Sequence, residues 1–186
     1  MLIYVLRHGI AEEAAPGSSD EARALVPEGS RKLRSVLRVA KAAGVSPSII
    51  LTSPYKRAVQ TAQLAAETLS FEGELIQTKA LAPESSPEQV WGEVRLHKHA
   101  SEVLLSGHEP LLSQTIAFLL AAPSLQVDLK KGALACVQID RFGAQPFVRH
   151  WNGKHGHLAC VQIDRFGAQP RGVLLWLITP KLSKAE

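Results

Sequence analysis

Three short clusters of reactive residue types punctuate the sequence: Arg7-His8-Gly9, then Ser53 to Arg57, then Gly107-His108-Glu109. Taken singly, each is ordinary. A lone histidine after a strand is usually a hydrogen-bonding residue, and a lone arginine at a helix start usually faces water. Taken together they offer two imidazoles and at least two guanidinium groups, with Gly9 and Gly107 admitting close backbone approach. A helix opening at Ser53-Pro54 would add its N-terminal amides, a ready anion site. Such a set suits a tetrahedral dianion, most simply a phosphoryl group.

The clusters meet only if the elements between them bring them to one place. Residues 2–6 read as a buried strand, followed by a polar loop over residues 10–20. Arg31, Arg34, Arg38 and Lys41 recur at helical spacing opposite Leu33, Val36, Leu37 and Ala40, which predicts an amphipathic helix over 28–43 stopped near Gly44. A second strand spans 48–52. Ser53 then reads as an N-cap with Pro54 at the first helical position, and the helix runs through Ala62 and Ala65 to about Ser70. Ser86-Pro87 repeats that signal for a helix to about His97. A strand at 103–106, an apolar helix at 110–120, and strands at 134–141 and 173–178 complete the pattern. Strands alternating with helices predict an α/β fold: a three-layer α/β/α sandwich with a mostly parallel sheet and an antiparallel edge hairpin near the C-terminus. In such sheets reactive groups lie beyond the carboxyl ends of strands, which is where all three clusters fall.

The segments LRHG, SPYKRAVQTA and SGHEP, in that order, resemble the histidine phosphatase superfamily with its phosphoglycerate mutase-like fold. The short length and the segment RALVPEG (residues 23–29) resemble its small, SixA-like phosphohistidine phosphatase branch. The match covers residues 1 to about 120 and continues into the strand at 134–141. The resemblance implies a single domain over residues 1–186 in which His8 accepts the phosphoryl group and then yields it to water. Arg7, Arg57 and His108 would clamp the phosphoryl oxygens, and Arg23 would add a further substrate contact. Neighbouring cations would keep the His8 ring neutral and nucleophilic. Because arginines supply the positive charge, neither metal ion nor cofactor is expected.

Departures from the family pattern bear on substrate. Val26 stands where the pattern RxLTxxG has a hydroxyl residue. Glu109 stands where the small branch often has asparagine, and is read as capping nearby backbone or supporting the site. Larger relatives protonate the leaving oxygen with an acid after the second helix; Glu84 is the candidate here, Glu88 the fallback, and a solvated loop carboxylate the alternative for Glu84. An alkoxide needs such a donor, whereas the nitrogen of a phosphoramidate is readily protonated as it leaves. Three readings stand: a phosphatase acting on protein phosphohistidine, a small-molecule phosphomonoester phosphatase or mutase using Glu84 as general acid, and a non-catalytic phosphate-binding interaction module.

Composition sets the outer bounds. With 186 residues, 46% hydrophobic and 20% charged, the chain suits one globular domain and excludes a disordered chain. Two cysteines, Cys136 and Cys160, are too few for a disulfide scaffold. Both lie in a stretch that occurs twice, LACVQIDRFGAQP at 134–146 and again at 158–170, an offset of 24. A chain lacking the unit 147–170 would have 162 residues, and that unit supplies Cys160, His150, His155, His157 and two of the four net positive charges. The repeat is either a recent tandem duplication or a fault in the recorded sequence, and two copies make no solenoid. Asn152-Gly153 could turn a strand at 147–151 into the second copy, extending the edge hairpin to a four-strand meander. The three histidines could instead bind a metal, although no cysteine or acid accompanies them closely. The N-terminus lacks the pattern of a signal peptide and the apolar run at 173–178 is too short to span a bilayer, so a cytoplasmic monomer without membrane partners is expected. The basic helix face reads as solvated, with docking of an acidic protein as the alternative; lacking an aromatic platform, it does not suggest nucleic acid.

Overall fold

The computed structural model describes residues 1–14, 17, 19–139 and 172–180. Six strands form one sheet: β1 (Leu2–Arg7), β2 (Ile49–Thr52), β3 (Glu74–Gln77), β4 (Glu102–Gly107), β5 (Leu134–Ile139) and β6 (Gly172–Ile178), in the order β3-β2-β4-β1-β5-β6. β1 to β4 run parallel, while β5 pairs antiparallel with both β1 and β6. Alternation along the strands explains the three layers. Ile3, Val5, Ile49, Leu51, Val103 and Leu105 face one side of the sheet, and Tyr4, Leu6, Ile50 and Leu104 face the other; all are buried. Strands apolar on both faces need helices on both faces.

The helices supply that cover. On one face, α1 (Pro27–Ala42) and α2 (Lys56–Leu69) bring Leu33, Val36, Leu37, Ala62 and Ala65 against the sheet. On the other, α3 (Pro87–Leu96) and α4 (Leu111–Leu119) bring Val90, Trp91, Leu112 and Ile116. The start of α3 is a full capping box, Ser86 with Gln89, behind Pro87. α1 ends where Gly44 adopts φ +82°, a conformation that favours glycine. The outer face of α1 is partly engaged with α2: Arg34 pairs with Glu67 at 3.1 Å and the Lys41 ammonium donates to Ser70 Oγ at 2.8 Å, while Arg31 and Arg38 are exposed.

Several details differ from the sequence reading. β3 was not expected; its end residues are exposed and only Leu75 and Ile76 are partly buried, so the edge strand carries little apolar signal. α2 begins at Lys56 with Tyr55 as its cap residue, not at Pro54. Ser53 does not cap the helix because its hydroxyl is turned to His108 and to the Tyr55 amide. β5 is buried on both faces, Leu134 and Cys136 on one and Ala135, Val137 and Ile139 on the other. The antiparallel edge pair of β5 and β6 is present. β5 pairs with β1 on one side and β6 on the other, and the expected meander lies outside the described residues. The strand at 147–151, the second copy at 158–170, and the candidate metal ligands His150, His155 and His157 lie outside the described residues. Among the described residues no helix is long and apolar enough to cross a membrane.

Candidate active site

The sheet register places the three clusters side by side. Arg7 lies opposite Gly107 across β1 and β4, and Thr52 opposite Ser106 across β2 and β4. The ladder continues one step beyond the strands: the His8 amide donates to Gly107 O at 3.0 Å and the Ser53 amide to Ser106 O at 2.9 Å. His8, Ser53 and His108 therefore emerge at the same, carboxyl end of three adjacent parallel strands. The backbone at Gly107 is close-set, since a Cβ there would lie 3.3 Å from Leu81 O and the Leu112 side chain.

His8 and His108 stand with ring centroids 5.1 Å apart, and Tyr55 presents an edge-on contact to His108 at 5.0 Å. The Arg57 guanidinium carbon lies 5.0 Å from the centre of the Tyr55 ring. His8 Nδ1 is 2.8 Å from Gly9 O. A carbonyl can only accept, so Nδ1 carries the proton and Nε2 is left with its lone pair. The Gly9 amide donates to Thr61 Oγ1 at 3.2 Å, and the Thr61 hydroxyl donates to Arg57 O at 2.7 Å, tying the loop after β1 to α2. His108 Nε2 and Ser53 Oγ share a hydrogen bond of 2.8 Å.

The electrostatics favour an anion. Burial first, then the charges of Arg57, Arg7 and Lys131, hold the His8 pKa down to about 4 against its Gly9 bond, which raises it. Burial, then His8 and Arg57, hold His108 down to about 3. Both rings are thus neutral at pH 7 before any anion arrives. Arg7 donates from Nη1 to Leu129 O at 2.8 Å. Yet three buried nitrogens, Arg7 Nε, Arg57 Nε and His108 Nδ1, have no hydrogen-bond partner among the described residues. Buried polar groups are rarely left so, and three within one cationic cluster call for an acceptor-rich ligand.

The other sequence candidates are placed less centrally. Arg23 reaches the cluster through Asp20: its Nη1 pairs with the Asp20 carboxylate at 2.6 Å and its Nε donates to Glu12 O at 2.6 Å. Glu84 is exposed, and its charge helps raise the Tyr55 pKa, after burial as the main cause. Glu88 is exposed in the first turn of α3, its carboxyl held below the usual range by the Ser86 hydroxyl. Glu109 is turned to α4, accepting from the Ser113 amide at 3.2 Å and hydroxyl at 2.6 Å, with burial raising its pKa. The sequence reading passed over Asp20, Tyr55, Thr61 and Lys131. The spacing of Asp20 and Arg23, three apart behind Ser19, was a visible signal; Lys131 carried none.

Residues 3–82 match the family model of the histidine phosphatase superfamily, branch 1. An uncharacterized protein from Picosynechococcus sp. is 35% identical over 124 residues, which span 63% of this chain and 74% of that one. The chain belongs to the histidine phosphatase superfamily. Its fold is similar to that of the protein histidine phosphatase SixA complexed with tungstate, with a TM-score of 0.75 at 22% identity, covering 97% of this chain and 98% of that one. It is also similar to the alpha-ribazole phosphatase from Shigella flexneri, with a TM-score of 0.61 at 17% identity, covering 76% of this chain and 92% of that one. The names of these two structurally similar proteins differ in what they say is acted on.

Proposed function

We propose that this chain is a phosphatase that takes a phosphoryl group onto His8 Nε2 and passes it to water, acting on phosphohistidine borne by a protein. The observation that carries the reading is the His8 ring itself: neutral, fixed by Gly9 with Nε2 free, and set beside His108, the buried Arg57 and the half-buried Arg7. In the first step Nε2 attacks phosphorus as the bond from phosphorus to the leaving nitrogen breaks, and that nitrogen takes a proton from solvent. In the second step water attacks phosphorus and gives a proton to solvent as the bond to Nε2 breaks, releasing inorganic phosphate and restoring the neutral ring. Arg7, Arg57 and His108, with their unpartnered nitrogens, would bind the equatorial oxygens and gain strength as charge develops there. Arrival of the dianion raises the pKa of both rings, so His108 can then donate as a cation.

The carboxylates support a nitrogen leaving group. Asp20 is paired with two arginines, Glu109 is bonded to Ser113, and Glu84 is exposed. A leaving imidazole needs little help from an acid; an alkoxide needs much. The alternative, a small-molecule phosphomonoesterase using Glu84, draws on the proximity of Glu84 to Tyr55. One comparison separates them: turnover of a phosphohistidine protein and of phosphoserine by the unmodified chain and by Glu84→Gln. The proposal predicts that phosphohistidine is the better substrate and that Glu84→Gln changes its turnover less than about threefold, well under the usual effect of a general acid. Efficient phosphoserine turnover lost by about 100-fold in Glu84→Gln would instead establish the small-molecule reading. A single domain over residues 1–186, working in the cytoplasm as a monomer, is part of the same proposal.

A further inference from the structure

The geometry points to Asp20 as the positioning residue that fixes the Arg57 guanidinium for phosphoryl transfer; the inference rests on the phosphatase reading and deepens it. The Arg57 side chain is only 6% exposed, so its donors must find partners within the protein. Two of them find the same residue. Nη1 donates to the Asp20 backbone carbonyl at 2.6 Å and Nη2 to the Asp20 carboxylate at 2.8 Å. One residue thus grips the end of the guanidinium at two points and sets its plane. The remaining edge, which carries Nε, is buried and unpartnered. Nε and Nη2 form the second fork of an arginine, whose spacing matches two oxygens of a phosphoryl group.

Asp20 is itself held. It opens the short 3-10 turn Asp20–Ala22, which Ser19 caps by accepting from the Glu21 amide. Its second carboxylate oxygen takes the Arg23 Nη1 donor, and Arg23 Nε is anchored on the Glu12 carbonyl. Hydrogen bonds from Arg23 and then Arg57 keep its carboxyl below the usual range, which favours the ionised form that both arginines contact. The loop after β1 is thereby tied through Glu12, Arg23 and Asp20 to Arg57, and Arg23 acts on the site through that chain rather than at His8.

A double-mutant cycle on the full chain tests this. The kcat and KM for a phosphohistidine protein are compared among the unmodified chain, Asp20→Ala, Asp20→Asn, Arg57→Ala and the Arg57→Ala, Asp20→Ala double variant. Misplacing one arginine predicts a kcat loss of about 10- to 100-fold in Asp20→Ala with KM changed less than about threefold. Asp20→Asn, which keeps the backbone acceptor and a side-chain oxygen, recovers most of that loss. The double variant is no slower than Arg57→Ala, because Asp20 acts only through Arg57. Unchanged kcat in Asp20→Ala, or a double variant slower by the full Asp20 factor, overturns the assignment. If the unmodified chain turns over no phosphoryl substrate, the phosphatase reading itself fails. Calorimetric binding of inorganic phosphate to the same variants then judges Asp20: coupled losses support it and additive losses refute it.

Discussion

The two site histidines occupy opposite hydrogen-bonding situations. His8 commits Nδ1 to a carbonyl and keeps Nε2 for reaction, whereas His108 commits Nε2 to Ser53 and leaves Nδ1 unpartnered. In the proposed mechanism that asymmetry would separate a nucleophile from a ligand for oxygen, although the residue type and burial are alike. It also yields a direct check. In an NMR titration of the anion-free protein, the His8 ring should remain neutral down to about pH 4, with the Nδ1-protonated tautomer dominant. A midpoint near 6.5 would mean that burial and the arginines do not act on it as described. That His8, Arg7, Arg57 and His108 lie near one another was legible in the sequence, because each closes, follows or lies in the first turn of an element at one end of the sheet. For Asp20 only the spacing to Arg23, three residues on, was visible in the sequence; its bonds to Arg57, 37 residues away, are tertiary and no local pattern encodes them.

Elements set the distances between these residues. Gly29, in the first turn of α1, lies against the loop after β1 so closely that a Cβ would strike the Ile10 carbonyl and amide. The Val26 amide donates to Ile10 O at 3.0 Å across the same contact. Gly29→Ala should therefore push α1 from the loop that holds Gly9, costing about 1–3 kcal/mol in urea unfolding and lowering activity together with stability. A variant of full stability and activity would show that the close approach is not needed. Strong periodicity made α1, α3 and the central strands readable, to within a residue or two at their ends. β3 was missed because an edge strand of four residues buries little. The start of α2 was misplaced because Ser53 and Pro54 carry the local signature of a cap, while the nearby His108 ring takes the Ser53 hydroxyl for a tertiary bond.

At the scale of the whole molecule, two buried neutral histidines make stability depend on pH. Their folded pKa values, about 4 and about 3, lie below the unfolded value. Between those limits the unfolded chain binds more protons, so this contribution is complete above about pH 6.5 and is lost as pH falls. Each ring should cost about 2 kcal/mol between pH 7 and pH 5, while Glu109, raised by burial, acts in the opposite sense. Urea unfolding at the two pH values measures the sum; equal stability would contradict the burial of neutral rings. The net positive charge says less about partners than its size suggests, because the duplicated unit supplies half of it and the useful charge is that of Arg7, Arg57 and Lys131 around His8. One measurement tests the central claim most directly: intact-mass analysis of the chain, quenched during turnover of a phosphohistidine protein, with the modified residue mapped. The unmodified chain should match its 186-residue mass of 20.1 kDa plus one phosphoryl group on His8, and His8→Ala should neither gain the group nor turn over. Turnover by His8→Ala at the unmodified rate, or a phosphoryl group carried elsewhere, would contradict the account.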